Sequence, residues 1–233
     1  MLHYETVSPD LLTVLKRLQL LPEISGFRLV GGTSLSLQIG HRTSVDIDLF
    51  TDKAFDSEEL QKVISNNFES FEVRWANRNG FTSMINDIKV DFFDWRVAFI
   101  KPVLTADGLL LADKQDIAAM KFETITTRKE RKDYIDIAFL LKEYDLKTLL
   151  SLHKSKYPFI SSQFVIESLM AIDYADNTEQ PKLFVSYDWQ QLKQDVIGAV
   201  TSYVDEAKNA IARQQDERLK KAEELLKKKR KEG

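Results

Sequence analysis

Asp46 and Asp48 alternate with Val45, Ile47 and Leu49 in the run VDIDLF. Residues two apart on a strand project from one face, so the two carboxylates point together while their apolar neighbours turn toward a core. Acids so paired can hold a hard divalent cation through oxygen. Upstream, Gly31, Gly32 and Thr33 stand at the start of a short helix. The glycines permit unusual dihedrals and close backbone approach, and the free N–H groups of a helix start suit a nucleotide phosphate. A phosphate cradle beside paired acids implies metal-assisted phosphoryl or nucleotidyl transfer.

A third acid follows the same logic. In IKVDFFDW, Lys89 and Asp91 share one strand face, with Val90 and Phe92 on the other. Asp91 therefore completes a trio with Asp46 and Asp48. Three acids around Mg²⁺ or Mn²⁺ would position a nucleoside triphosphate, neutralise its pyrophosphate and help deprotonate an attacking hydroxyl. Asp94 falls on the opposite face and reads as structural. Further along come Lys121, Arg128, Lys129, Asp133 and Asp136. Asp133 and Asp136 lie one helical turn apart on a face shared with Ile137 and Leu140, so Asp136 needs a buried partner. Lys121 is the obvious one. On the residues alone, a buried ion pair and a phosphate-binding lysine stand level. Phe122, Tyr134 and Phe139 read as core.

These groups need a scaffold, and its pattern changes along the chain. Ser8 caps an opening helix from Pro9 to about Leu20. A strand over Phe27–Val30 leads to the glycines, a helix over Ser34–Ile39 ends at Gly40, and Val45–Phe50 is the carboxylate strand. Ser57–Asn67 reads as helix. Three strand-like runs follow, Phe71–Ala76, Phe81–Ile85 and Ile88–Trp95, separated by turn residues. The pattern is α+β, a mixed sheet over residues 1–105. From 106 to about 205 it is helical: Asp113 caps a helix through Thr127, with others at Arg131–Tyr144, Leu146–Lys156 and Ser161–Tyr174, and a long one from Trp189. Residues 206–233 form a charged helix or tail.

The 233 residues and 43% hydrophobic content support a packed core. No run approaches the roughly 20 apolar residues that a membrane span needs. The start, MLHYETVSPDLL, lacks signal-peptide character, which points to the cytoplasm. With no cysteine, disulfides, thiolate catalysis and Cys-bound zinc are excluded, and three scattered histidines suggest no His-based metal site. The net charge of −3 does not mark a nucleic-acid binder. From Arg213 onward, however, nine basic residues face five acidic ones, a local +4 that leaves −7 on the rest. Such a tail could steer RNA, although a solvated helix end explains it more simply.

The string GGTSLSLQIGHRTSVDIDLF, the later KVDFF and the block LADKQDIAAMKFETITTRKERKDYIDIAFLL resemble, in order and spacing, the AbiEii/AbiGii-type nucleotidyltransferase toxins of abortive-infection and type IV toxin–antitoxin systems. The resemblance spans Gly26 to Leu141 strongly and, more loosely, the helices to about Val200. It implies a polymerase-β-like core whose mixed sheet bears the three acids, with a helical half closing over the nucleotide. Gly31, Gly32 and Thr33 match the phosphate-holding motif, Asp46 and Asp48 the metal ligands, and Lys89 and Asp91 the second motif. Lys121 matches a nucleotide-contacting lysine, and Asp133 and Asp136 match a fourth motif with an essential acid; Arg128, in the same block, joins the expected nucleotide contacts. Gly32-Thr33 replaces the Gly-Ser of many relatives, and the chain is shorter than the longer members.

The reading that follows is a Mg²⁺-dependent nucleotidyltransferase using a nucleoside triphosphate, the toxin of a phage-defence pair that meets a cognate antitoxin and acts on RNA such as tRNA. The residues themselves argue for metal and nucleotide; toxin and RNA come from the resemblance. Nucleotidylation of a small molecule or protein side chain stays open, as does a regulatory module that binds nucleotide without turnover.

Overall fold

The alternating segments assemble into a seven-stranded sheet. In chain order the strands are β1 (Arg28–Leu29), β2 (Ile47–Thr51), β3 (Phe71–Asn77), β4 (Gly80–Ile85), β5 (Ile88–Asp94), β6 (Leu104–Ala106) and β7 (Leu109–Leu111). They lie side by side as β3-β4-β5-β2-β1-β7-β6. The pairs β2–β5 and β1–β7 are parallel and the others antiparallel, so the sheet is mixed as its sequence pattern implied. The computed structural model describes the backbone of residues 1–232, and side chains except those of residues 223–226 and 228–233.

The described residues form eight α-helices: α1 (Pro9–Gln19), α2 (Gly31–Ile39), α3 (Ser57–Asn67), α4 (Lys114–Thr127), α5 (Arg131–Leu140), α6 (Leu146–Lys156), α7 (Ser162–Met170) and α8 (Trp189–Glu232). Ser8 caps α1 by accepting from the Leu11 N–H, and Asp113 caps α4 by accepting from Gln115. Two apolar clusters hold the fold together. One packs α1 and α3 against a sheet face through Leu15, Ile64, Phe81 and Phe92. The other joins α4 through α8 around Phe122, Tyr134, Leu149 and Val196. Helix α2 bridges them, giving Leu35 to the second and Leu37 to the first.

The structure moves three boundaries. The sheet does not stop at residue 105, and the helical half begins at Lys114 rather than 106. Between them β6 and β7 form a hairpin on Asp107 and Gly108, both at positive φ (51° and 80°). An Asp-Gly pair is the sequence mark of a two-residue type I′ turn, but three-residue strands are too short to show alternation. Second, α2 begins at Gly31 itself rather than Ser34, with Gly31 at φ 66°. Third, β2 begins at Ile47, so Val45 is 71% exposed and does not enter the core. The segment ahead of it is irregular because its amides are held from outside: Ser44 N–H donates to the Thr6 carbonyl and Thr43 N–H to that of Lys182.

No helix among the described residues is long and apolar enough to cross a membrane. Helix α8 packs through Leu192, Val196 and Val200, after which every described side chain from Asp205 to Ala222 is exposed. The side chains at the end of the basic tail, Lys228 to Lys231, lie outside those described.

Ending the chain after Asp205 should shift the melting temperature by no more than about 2 °C, because the removed helix covers no core. Leu192→Ala should cost roughly 2–3 kcal/mol. Differential scanning calorimetry of the two variants checks both figures.

Candidate active site

The parallel pairing of β2 with β5 sets Asp48 directly beside Asp91. Strand neighbours in register lie about 4.8 Å apart and project from the same sheet face. Asp46 stands one residue ahead of β2, placed by a hydrogen-bonded loop rather than by the strand. The Thr33 hydroxyl reaches both the Asp46 carbonyl and the Ser44 hydroxyl. All three acids line one cleft of about 840 Å³, together with Gly31, Gly32, Lys89, Lys121 and Arg128. Eight of the eleven residues singled out by sequence therefore face one space. The other three are Thr33, Asp133 and Asp136.

Thr33 is 1% exposed, so it braces the Asp46 loop from behind while the glycines face the cleft. The glycines are required there for two reasons. A Cβ at Gly31 would overlap the Asp48 carboxylate, and its φ is left-handed; a Cβ at Gly32 would overlap the Arg42 guanidinium. No side chain caps the start of α2, which leaves its first N–H groups for an anion.

The electrostatics of the acids are unbalanced. Lys89 Nζ donates to Asp91 Oδ2 at 2.7 Å, while Asp91 Oδ1 is buried with no partner. Burial, then the neighbouring Asp91 charge, pushes the Asp48 carboxyl up to about 6. Burial lowers the Lys89 ammonium, but its bond to Asp91 and the charges of Asp46 and Asp48 outweigh this and raise it. Lys89 is thus the nearest cation to the three carboxylates, with Lys121 a weaker influence on Asp48. Among the described residues, however, no three acidic or histidine side chains stand close enough to enclose a metal ion by themselves. This arrangement fits Mg²⁺, which is normally held by one or two carboxylates with substrate phosphates completing its octahedron. The unpartnered Asp91 oxygen is the donor such an ion would use.

Behind the cleft wall lies a buried ionic network that the sequence half disclosed. Lys121 Nζ donates to Asp133 Oδ1 at 2.8 Å and lies 2.6 Å from Asp136 Oδ2. The ion-pair reading of Lys121 therefore holds, although the side chain also borders the cleft. Arg128 Nε donates to Asp133 Oδ2 at 2.9 Å. Arg42 grips Asp136 with two bonds, Nε to Oδ1 at 2.6 Å and Nη2 to Oδ2 at 2.7 Å, and His41 Nε2 lies 2.8 Å from the same Oδ1. Asp133 and Asp136 are fully buried and do not border the cleft. The structure commits both to the cations beside the cleft, which places the fourth-motif acids one side chain behind the cleft surface. Burial raises the Asp136 carboxyl, but Arg42 and Lys121 outweigh it and hold it well below the usual range; Asp133 is lowered for the same reason by Lys121 and Arg128. Burial drives the His41 imidazole down, against the opposing pull of Asp136.

Sequence reasoning missed His41 and Arg42. Their signal was position alone, directly after the Gly40 helix stop and just before the carboxylate strand. It also missed Trp95, Glu123 and Tyr157, which border the cleft from the end of β5, from α4 and from the residue after α6. Asp94 turns away, as expected, and accepts from Arg96.

Against this geometry, comparison with known proteins is specific. A family model described as nucleotidyl transferase AbiEii toxin, type IV TA system, matches residues 13–214. A protein of Aquifex aeolicus (strain VF5), described as uncharacterized, is 32% identical over 187 residues, covering 77% of this chain and 88% of its own. Two solved structures share the fold. MenT4, a nucleotidyltransferase toxin of Mycobacterium tuberculosis H37Rv, superposes with a TM-score of 0.55 at 16% identity over 82% of each chain. JHP933 of Helicobacter pylori gives 0.51 at 18% identity over 90% of this chain and 99% of that one. The match from residue 13 to 214 settles the kinship: the chain is a nucleotidyltransferase of the AbiEii toxin family of type IV toxin–antitoxin systems.

Proposed function

We propose that this cleft moves a nucleotidyl group from a nucleoside triphosphate to a hydroxyl of RNA, with tRNA the foremost acceptor, using Mg²⁺ or Mn²⁺. The observation that carries the reading is the Asp48–Asp91 pair, side by side in register beside an uncapped, glycine-opened helix. The cation, when bound, supplies Lewis-acid stabilisation of the developing phosphate charge. Asp46, Asp48 and Asp91 would hold it. The Gly31 and Gly32 amides receive phosphate oxygens, and Arg128 and Lys89 neutralise the pyrophosphate. The acceptor hydroxyl attacks the α-phosphorus. As the new P–O bond forms, the bond to the pyrophosphate bridging oxygen breaks and pyrophosphate leaves. The hydroxyl proton passes to one acid of the trio.

Asp133 and Asp136 are positioning residues in this scheme. They fix Lys121, Arg42 and Arg128 along the wall, so that cationic groups face the phosphates without side-chain rearrangement. RNA as acceptor rests on family membership and on the toxin role. Membership also implies a cognate antitoxin partner and a cytoplasmic site of action. One observation favours a second reading, transfer to a small molecule or protein side chain: outside the Arg213–Gly233 tail the chain carries −7, which does not attract a polyanion.

Calorimetric titration with a nucleoside triphosphate should show binding that depends on Mg²⁺, weakening at least about tenfold in chelator. Equal affinity in both buffers would remove the metal from the scheme.

Asp48→Asn should lower transfer by about a thousandfold, the several kcal/mol a lost metal ligand costs. The same change should raise the melting temperature of metal-free protein at pH 7 by roughly 2–4 °C, equivalent to about 1 kcal/mol. The sign follows from the raised carboxyl: its charged form penalises the folded state above pH 6. That penalty fades as pH falls from about 6 toward the unfolded value of 3.8, so the two melting curves should converge by pH 4. A variant that melts lower than wild type at pH 7 contradicts the assignment.

Asp136→Ala should destabilise by roughly 3–5 kcal/mol, because Arg42 and Lys121 are left buried beside an unfilled partner. Urea unfolding measures this. Full stability with loss of kcat alone would instead make Asp136 a group that touches the reaction.

A further inference from the structure

The sheet face that carries the acids does not end at the cleft. Residues in register across neighbouring strands project from one side of a sheet. Trp75 on β3 pairs with Thr82 on β4, Thr82 with Asp91 on β5, and Asp91 with Asp48 on β2, so one row runs from the acids to the outer edge strand. The adjacent row is Asn77, Gly80, Phe93 and Phe50. Gly80 is the gap in it: a Cβ there would overlap the Phe92 carbonyl and crowd the Phe93 ring. Beside that gap the Trp75 and Phe93 rings have centres 6.0 Å apart, Phe93 lies 5.7 Å from Phe50, and Phe50 stacks on Trp95 at 5.3 Å. Four rings thus form a continuous shelf, with Phe50 and Trp95 bordering the cleft and Trp75 at the far end. The opposite face of these strands sends Phe81, Ile85, Val90 and Phe92 into the core beneath α1 and α3. Trp75, Met84 and Phe93 belong to neither apolar cluster, and Trp75 is 51% exposed.

Resting on the RNA-acceptor reading above, we infer that this shelf docks a single-stranded end of the acceptor, with Trp75 stacking on a base upstream of the reacting hydroxyl. Two observations choose that occupant. The first is continuity with the acids. Two strand spacings, about 10 Å, separate Trp75 from Asp91, and stacked nucleotides rise ~3.4 Å each, so a base on Trp75 lies about three nucleotides from a hydroxyl at Asp91. The second is charge. Between Phe71 and Arg96 the basic residues Arg74, Arg78, Lys89 and Arg96 are matched by the acidic Glu72, Asp87, Asp91 and Asp94. Arg74 is paired with Glu72 at 2.9 Å and Arg96 with Asp94 at 2.7 Å. A surface without net positive charge has little hold on a duplex, whose bases are shut inside and which must be gripped by its phosphates. It holds unpaired bases well, because every base has a π-face and stacking on an aromatic ring needs no counter-charge. Such a dock reconciles an acidic body with a polyanionic acceptor.

The test is titration of the full chain with a short fluorescent single-stranded oligoribonucleotide and with its blunt duplex, read by anisotropy. Wild type should prefer the single strand by at least about tenfold. Trp75→Ala should weaken single-strand binding roughly tenfold, and Trp75→Phe should keep most of the affinity. The log–log salt slope should be the same in wild type and both variants, because a stacking contact releases no counterions. In transfer assays Trp75→Ala should raise KM for RNA and leave kcat within about twofold. Binding of nucleoside triphosphate with Mg²⁺ should be equal in every variant, which also reports that each one is folded. Unchanged single-strand affinity in Trp75→Ala, or a wild type that binds the duplex as tightly, would overturn the inference while leaving RNA as the acceptor. So would a shift to a smaller sedimenting species in Trp75→Ala with RNA affinity intact, which would assign the shelf to a second copy of the chain. A wild type that binds nucleotide yet neither binds nor modifies RNA would remove the RNA reading and this dock together.

Discussion

The grip of Arg42 on Asp136 ties the two halves of this protein into one machine. Arg42 leaves the turn after α2, packs across Gly32 where no Cβ intervenes, and reaches a carboxylate rooted in the helical half. Charges as deeply buried as these are expensive to desolvate, and they persist only when each finds complete partners. Here they do. Asp136 is met by Arg42, His41 and Lys121, and Lys121 in turn meets Asp133. Removing any member strands another in a dry interior, so the network enforces one relative placement of sheet and helices. The cleft exists because of that placement.

The acids at the cleft are treated in the opposite way. Both oxygens of Asp136 are partnered and its carboxyl is driven strongly acidic, whereas Asp48 and Asp91 are left short of counter-charge and Asp91 keeps a free oxygen. Sites with such deficits are where binding energy can be realised, because substrate and cation supply what the chain withholds. The division between satisfied structural charges and unsatisfied working ones runs along the inner wall, a single side chain thick at Lys121.

Much of this could be read from the sequence, and the boundary of legibility has a physical basis. Asp46, Asp48 and Asp91 declared themselves because strand periodicity fixes which residues share a face, and Gly31 because only glycine takes that backbone conformation beside a carboxylate. Spacing could not say whether Asp133 and Asp136 looked into the cleft or into the core, since both lie on one helical stripe. Arg42 carried no signature beyond its place after the Gly40 helix stop; its role arises from a partner 94 residues away. The β6–β7 hairpin was written in one Asp-Gly pair, but strands of three residues have no period to detect. Glu123 and Trp95 were invisible for the same reason as Arg42, being brought to one cleft only by packing.

Helix α8 carries a thermodynamic consequence of its own. Starting a helix is the costly step, with a nucleation factor of about 10⁻³, and an isolated segment of this polarity would be marginal in water. In α8 the turns anchored by Leu192, Val196 and Val200 are a permanent nucleus, so the exposed turns from Asp205 to Ala222 only propagate. At about 1.5 Å per residue those eighteen residues reach roughly 27 Å beyond the last packed contact. Their order is then a one-ended equilibrium, lost from the far end inward, residue by residue, and uncoupled from the cooperative melting of the core. Ellipticity at 222 nm would decline well before the aromatic signals of the core change, giving the molecule two thermal transitions of different character within one continuous helix.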